Sequence, residues 1–197
     1  MKELPRYWAT PEDFATLFQY FWHRDLPIDL KSTGARRIDW TIHIGIIIRN
    51  IGDLMGVVVR FERGGRKDAI LRSVAGDEIA VEWEWEGIDG NELGKLRSHK
   101  AWCRYDEHKL KFGVLITYVG QALLENTIAK AAEKWKGADW PMVLILIVSE
   151  KTRTLTTGRA FTNLQMHLID QNGQHRVLRD VPAMPWNVDC TRWQYQL

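Results

Sequence analysis

Acidic residues recur at every second position in IAVEWEWEG, residues 79 to 87, where Glu82, Glu84 and Glu86 alternate with Trp83 and Trp85. Side chains on a β-strand point alternately to its two faces. These glutamates therefore share one face, with successive positions about 6.5 Å apart at ~3.3 Å rise per residue. Val81, Trp83 and Trp85 share the other face, which is the apolar one. A further acidic residue, Asp68, stands near the start of an earlier β-rich run, KDAILRSV, and paired strands lie only ~4.8 Å apart. With Asp68 on the glutamate face, three carboxylates would converge, and like charges at that range drive pKa values upward. A divalent cation relieves the repulsion. Magnesium takes oxygen ligands octahedrally, commonly one or two carboxylates with several waters, and keeps positions for a phosphate and an attacking water. The same pattern has a second reading, a solvated strand face whose glutamates pair across strands with Arg60, Arg63 and Arg72. Against it, glutamate is disfavoured in strands, and three in alternation exceed what solubility requires.

Other chemistries find little support. The six histidines form neither H-E-x-x-H nor a Cys/His zinc pattern, and His99 and Lys100 read as helix surface. Cys103 and Cys190 are far apart, which argues against a disulfide framework and fits a reducing cytosol. No G-x-S-x-G elbow occurs, and the glycines of RGGR are a hairpin turn without the rest of a phosphate loop. A formal net charge of +2 over 197 residues is too balanced to mark a nucleic-acid or membrane-surface protein by itself. Positive charge does gather near the acidic runs. Arg63, Arg66 and Lys67 precede Asp68, and Lys151, Arg153 and Arg159 lie among hydroxyl side chains; both groups can contact phosphates or stay solvated. No apolar run approaches the ~20 residues that span a bilayer, and no signal-peptide core is present, so a cytoplasmic protein is expected.

The elements that must position these residues are legible in order. Thr10, Pro11 and an acidic first turn, then Phe14, Leu17, Phe18 and Phe21 at helical spacing, predict a helix over about 11–24. The Ile-rich stretch that follows satisfies both helical and strand periods and is read as a helix over about 39–55. Three short β-rich runs with glycine-containing turns form an antiparallel meander over about 57–86. NELGKLRSHKAW then reads as a helix, KFGVLITYV as a buried strand, QALLENTIAKAAEKWKG as an amphipathic helix and MVLILIVSE as a second buried strand. Alternation around DQNGQ predicts a final hairpin with Asn172 and Gly173 at its tip. One domain is expected, with its core over about 40–148 and a hairpin extension over about 155–185. The ten tryptophans serve cores, stacking platforms and interfaces equally well; Trp83 and Trp85 read as core, and Trp186 and Trp193 are freer for an interface.

Helix, three-stranded meander, helix and strand, with an aspartate on the second meander strand and Glu-x-Glu on the third, resembles the PD-(D/E)XK nuclease superfamily. The matching stretch is DAILRSVAGDEIAVEWEWEGIDGNELGKL. The resemblance covers about residues 40–120, and the next helix and strand continue it. It implies an α/β restriction-endonuclease-like fold, a central mixed sheet flanked by helices, and a magnesium-dependent endonuclease that hydrolyses nucleic-acid phosphodiesters, DNA first. Manganese would substitute for magnesium. It also implies that Asp68, Glu82, Glu84 and the backbone carbonyl of Trp83 hold the metal, while Glu86, one step further along the same face, either orients water or is exposed. Two departures are visible. Lys67 stands where proline is usual, and Glu84 stands where lysine is usual. Lys95, on the helix after the motif strand, either supplies the missing ammonium by reaching back to the cluster or is a solvated helix lysine. A homodimer would suit double-strand cleavage. The alternative within the same fold is a catalytically inactive module that binds nucleic acid or a protein partner.

Overall fold

The structure, a computed structural model, describes residues 10–26, 37–63, 67–74, 76–85, 88, 90–98, 110–151 and 159–185. Helix α1 is Pro11–Arg24. The Thr10 hydroxyl accepts from the Asp13 N–H at 3.1 Å while the Asp13 carboxylate accepts from the Thr10 N–H at 3.0 Å, a reciprocal cap that fixes the helix start. Its buried face carries Phe14, Phe18 and Trp22. Helix α2 is Arg37–Met55. It buries Ile44, Ile47, Ile48 and Ile51 but leaves Ile38, Ile42, Ile46 and Leu54 exposed, so apolar residues stand on both sides of it. The helix ends where Gly56 takes φ 67°, with Val57 N–H donating to Gly52 O at 2.9 Å and Gly56 N–H to Asp53 O at 3.2 Å. This is the left-handed glycine termination that satisfies the last helical carbonyls. Gly52 lets the helix close onto the first strand, since a Cβ there would overlap Val59 Cγ2.

Among the described residues seven strands follow in one sheet whose spatial order is the chain order: β1 Val58–Arg63, β2 Lys67–Ser73, β3 Gly76–Glu84, β4 Phe112–Gly120, β5 Met142–Lys151, β6 Arg159–Ile169 and β7 His175–Pro182. The first three are antiparallel, β3–β4 and β4–β5 are parallel, and β5–β6–β7 are antiparallel. Each parallel step needs a crossover, and α3 (Gly90–Arg97) and α4 (Leu124–Trp135, after a 3-10 turn) supply them. Residues buried by α3 and α4, such as Leu93, Leu96, Ile128 and Trp135, pack with Ile70, Ala80, Leu115 and Leu144 on one face of the sheet. Helices α1 and α2 pack with Leu71, Val81, Val114 and Ile145 on the other. Covered on both sides, β4 and β5 are almost continuously apolar.

This is the mixed α/β architecture expected from the sequence: an antiparallel meander, following parallel strands, and helices on both faces. The helix over 11–24 and the hairpin around Gly173, which has φ 76°, stand as read. One refinement concerns the hairpin. β6 and β7 continue the central sheet rather than projecting from it, because β6 pairs with β5 from Met142↔Ile169 to Lys151↔Arg159. Among the described residues, no helix is long and apolar enough to cross a membrane.

Candidate active site

Asp68 and Glu82 are cross-strand neighbours. Strands β2 and β3 pair Ala69 with Val81 and Ile70 with Ala80, and the next step in that register sets Asp68 opposite Glu82. Both point to the face covered by α3 and α4, since residues two apart share a face and Ile70 and Ala80 belong to that core. Asp68 Oδ2 accepts from the Trp83 N–H at 2.7 Å, so the side chain stands in for a ladder acceptor at the strand end. In an extended strand the N–H and C=O of one residue point to the same edge. The Trp83 carbonyl therefore shares the Asp68 edge of β3.

Glu82 is fully buried. Lys95 reaches it from α3: its Nζ donates to Glu82 Oε2 at 3.0 Å. Glu82 Oε1 is buried with no hydrogen-bond partner among the described residues. Burial, and secondarily the Asp68 charge, pushes the Glu82 pKa up to about 7, against the opposing influence of Lys95 and Lys67. Burial also raises the Asp68 carboxyl above its ordinary value, although the Trp83 N–H and Lys95 oppose this. Burial alone would lower the pKa of the Lys95 ammonium, but the hydrogen bond and charge of Glu82, with Asp68 and Glu92, raise it on balance. All three shifts favour the protonated forms, which is the signature of a buried carboxylate pair short of positive charge.

The solvated-face reading of the ladder thus fails at Glu82, which has no exposed surface. The expectation of three convergent carboxylates is also corrected. Among the described residues no three His, Cys, Asp or Glu side chains gather closely enough to hold a metal ion. Glu84 sits one step further along the same face, opposite Thr117 of β4, and lines a neighbouring cavity of about 220 Å³ with Trp40, Asp68, Trp83, Trp85 and Tyr118. Glu86 lies outside the described residues. A pair of carboxylates with one orphaned buried oxygen does fit magnesium, which needs only one or two carboxylates and completes its shell with water.

Of the residues expected to meet phosphate, Lys67 is a correction. It is 1% exposed, too deeply placed for a surface contact, and its charge instead acts on Glu82. Arg66 and Arg153 lie outside the described residues, as do the side chains of Arg63, Lys151 and Arg159. His99, Lys100, Trp186 and Trp193 lie outside them as well. One neighbour was not singled out from sequence. Glu92, a turn before Lys95 on α3, is buried with Oε2 lacking a partner among the described residues, and its Oε1 lies 3.9 Å from Lys95 Nζ. The i,i+3 spacing of Glu92 and Lys95 beside Leu93 and Leu96 was the available signal.

No family model matches the chain, and no curated protein matches it. Among solved structures, the YaeQ protein from Xanthomonas axonopodis pv. citri is similar at a TM-score of 0.30 and 10% identity, over 71% of this chain and 79% of that one. A likeness so distant carries no argument about activity.

Proposed function

We propose that the chain is a metal-dependent nuclease that hydrolyses nucleic-acid phosphodiester bonds, with DNA as the first substrate class to test. One observation carries the reading: an ammonium from α3 stands 3.0 Å from a fully buried glutamate that has an aspartate beside it. Lys95 would thereby supply the ammonium that the motif lacks at position 84. Asp68, Glu82 and the Trp83 carbonyl would hold a magnesium ion, and Glu84 is assigned to substrate contact in the adjoining cavity. A bound magnesium supplies polarisation of a phosphate oxygen and a water of lowered pKa.

The chain's own groups do the rest. Lys95 is held charged by Glu82 and Glu92, so it can donate to a phosphate oxygen as negative charge grows there. The Asp68 hydrogen bond to the Trp83 N–H fixes that carboxylate against β3, and burial under α3 fixes Glu82. Groups held in place before reaction need little reorganisation during it.

One observation favours the alternative of a silent module of the same fold: Glu84 stands at the motif position where lysine is usual. The deciding experiment is calorimetric titration of manganese into the wild type and Asp68→Ala, beside hydrolysis of a long single-stranded phage DNA and its duplex form. Binding and cleavage abolished together by Asp68→Ala support the nuclease. Absence of metal binding to the wild type, with DNA present to complete the site, sinks it and leaves the silent module.

A further inference from the structure

Lys95 stands between two carboxylates and hydrogen-bonds to one of them. Its Nζ donates to Glu82 Oε2 at 3.0 Å, whereas Glu92 Oε1, three residues earlier on the same helix, lies 3.9 Å away, beyond hydrogen-bonding range. An ammonium carries three donors, so one partner does not exhaust it. Asp68 adds a further negative charge that acts on it. At 27% side-chain exposure Lys95 also keeps a path to solvent, along which a substrate phosphate can reach it.

Glu92 is poorly explained as helix surface. A carboxylate in the first turn of α3 suits the helix dipole, but an exposed one serves that purpose equally. Glu92 is instead 8% exposed, and its Oε2 has no hydrogen-bond partner among the described residues. Burying a carboxylate without a close partner is costly. Leu93 and Leu96 are buried in the core on that side of the sheet and fix the rotation of α3, which keeps Glu92 from turning out to water.

The two carboxylates differ in what else they must hold. Under the nuclease reading Asp68 and Glu82 take a divalent cation, and two cations at one carboxylate repel each other. Lys95 then loses much of its attraction to Glu82. Glu92 stays free for it, since among the described residues Lys95 is the cation paired with Glu92.

We propose that Glu92 is a positioning residue, a second seat for Lys95: with a divalent cation at Asp68 and Glu82, the ammonium moves from Glu82 to Glu92 and stays at hand for a phosphate oxygen. The inference rests on the nuclease reading and adds to it a residue that touches neither metal nor substrate. A shift of about 1 Å turns the 3.9 Å separation into a hydrogen bond of ordinary length. The flexible four-carbon stem of lysine allows that movement. Without Glu92 the ammonium would either remain at Glu82 and oppose the metal or swing into solvent.

The test is a double-mutant cycle read as manganese affinity, by calorimetry on the full chain. Glu92→Gln is isosteric and removes a buried charge, so it should fold as stably as the wild type, yet bind manganese roughly 3- to 30-fold more weakly. Glu92→Asp, whose charge a flexible lysine can follow, should recover most of that loss. In a Lys95→Met background, Glu92→Gln should change the affinity by less than about twofold, because no ammonium is left to seat. An equal loss in both backgrounds overturns the inference, since Glu92 would then act on the metal or on the fold directly; the nuclease reading survives that result. Wild-type affinity in Glu92→Gln overturns it as well. Absence of manganese binding to the wild type, with and without DNA, removes the nuclease reading and this inference with it.

Discussion

Replacing Glu82 with glutamine tests the electrostatic description of the site without requiring activity. The glutamate carboxyl ionises near 4.5 in the unfolded chain and near 7 in the fold, where burial and then Asp68 oppose its charge. The groups that act on it are Asp68 and Lys67 from β2 and Lys95 from α3, with Glu92 one turn before Lys95. Because the folded value is raised, the native state holds the proton more tightly. Stability is then full below pH 4.5 and falls as pH rises through 7, by about 3 kcal/mol in total. Between pH 5 and 8 the wild type should lose on the order of 2 kcal/mol from this group alone. Glu82→Gln keeps an oxygen for Lys95 but cannot titrate, so its stability should lack that slope, and it should be the more stable protein at pH 8. Urea unfolding of both proteins at several pH values measures the difference directly. Magnesium supplies a second arm. At a hundredfold excess over its dissociation constant it should restore about 2.7 kcal/mol to the wild type at pH 8, and nothing to Glu82→Gln. Parallel stability profiles from pH 5 to 8 would refute the picture of a strained, buried carboxylate.

The other expectations concern the Lys95 ammonium, the core and the helix contact. Lys95→Met should retain manganese binding by calorimetry but lower the hydrolysis rate by roughly 10²- to 10³-fold, the usual effect of removing one donor to a developing negative charge; an unchanged rate would remove Lys95 from the mechanism. His43 is packed against Trp22 at 4.9 Å between ring centroids, and burial depresses its pKa to about 4 against the pull of Asp25. Its folded value lies below the ordinary 6.5, so stability is full above pH 6.5 and about 3 kcal/mol is lost as pH falls to 4. His43→Phe should remove that acid slope in thermal unfolding followed at stepped pH. Gly52→Ala should destabilise by about 1–3 kcal/mol through overlap with Val59, and Val59→Ala in the same chain should recover part of it in a double-mutant cycle.

Much of the fold was written locally. The Thr10 and Asp13 cap with Pro11 bounds α1 at the residues expected, because a cap is a contact between neighbours in sequence. The strands and the Gly173 hairpin follow for the same reason: alternation and a left-handed glycine act over a few residues. α2 was ambiguous because isoleucines occupy both its sides, Ile44 and Ile48 buried and Ile42 and Ile46 exposed, so no single period stood out. The pairing of Asp68 with Glu82 was not foreseeable from the hairpin: the register at Ser73↔Gly76 and Arg72↔Asp77 would set Asp68 opposite Val81, and an irregularity between Leu71 and Arg72 shifts it by one residue to Glu82.

Depth and reach were not foreseeable. Sequence alternation puts Glu82 and Glu84 on one face, but only the position of α3 over the sheet buries Glu82 completely while Glu84 lies at the cavity. Lys95 is thirteen positions from Glu82 in the chain, and its 3.0 Å contact depends on how α3 docks between β3 and β4. Lys67 shows the converse. A basic residue in a charged turn reads as a surface contact, yet its strand carries it inside. The sequence alone determined the elements, their order and the acidic residues on offer, because those depend on local periodicity and turn chemistry. Which carboxylates lost their water, which ammonium met them and which rings enclosed the cavity were decided by packing between distant segments, where desolvation and distance are properties of the fold and of no single stretch of chain.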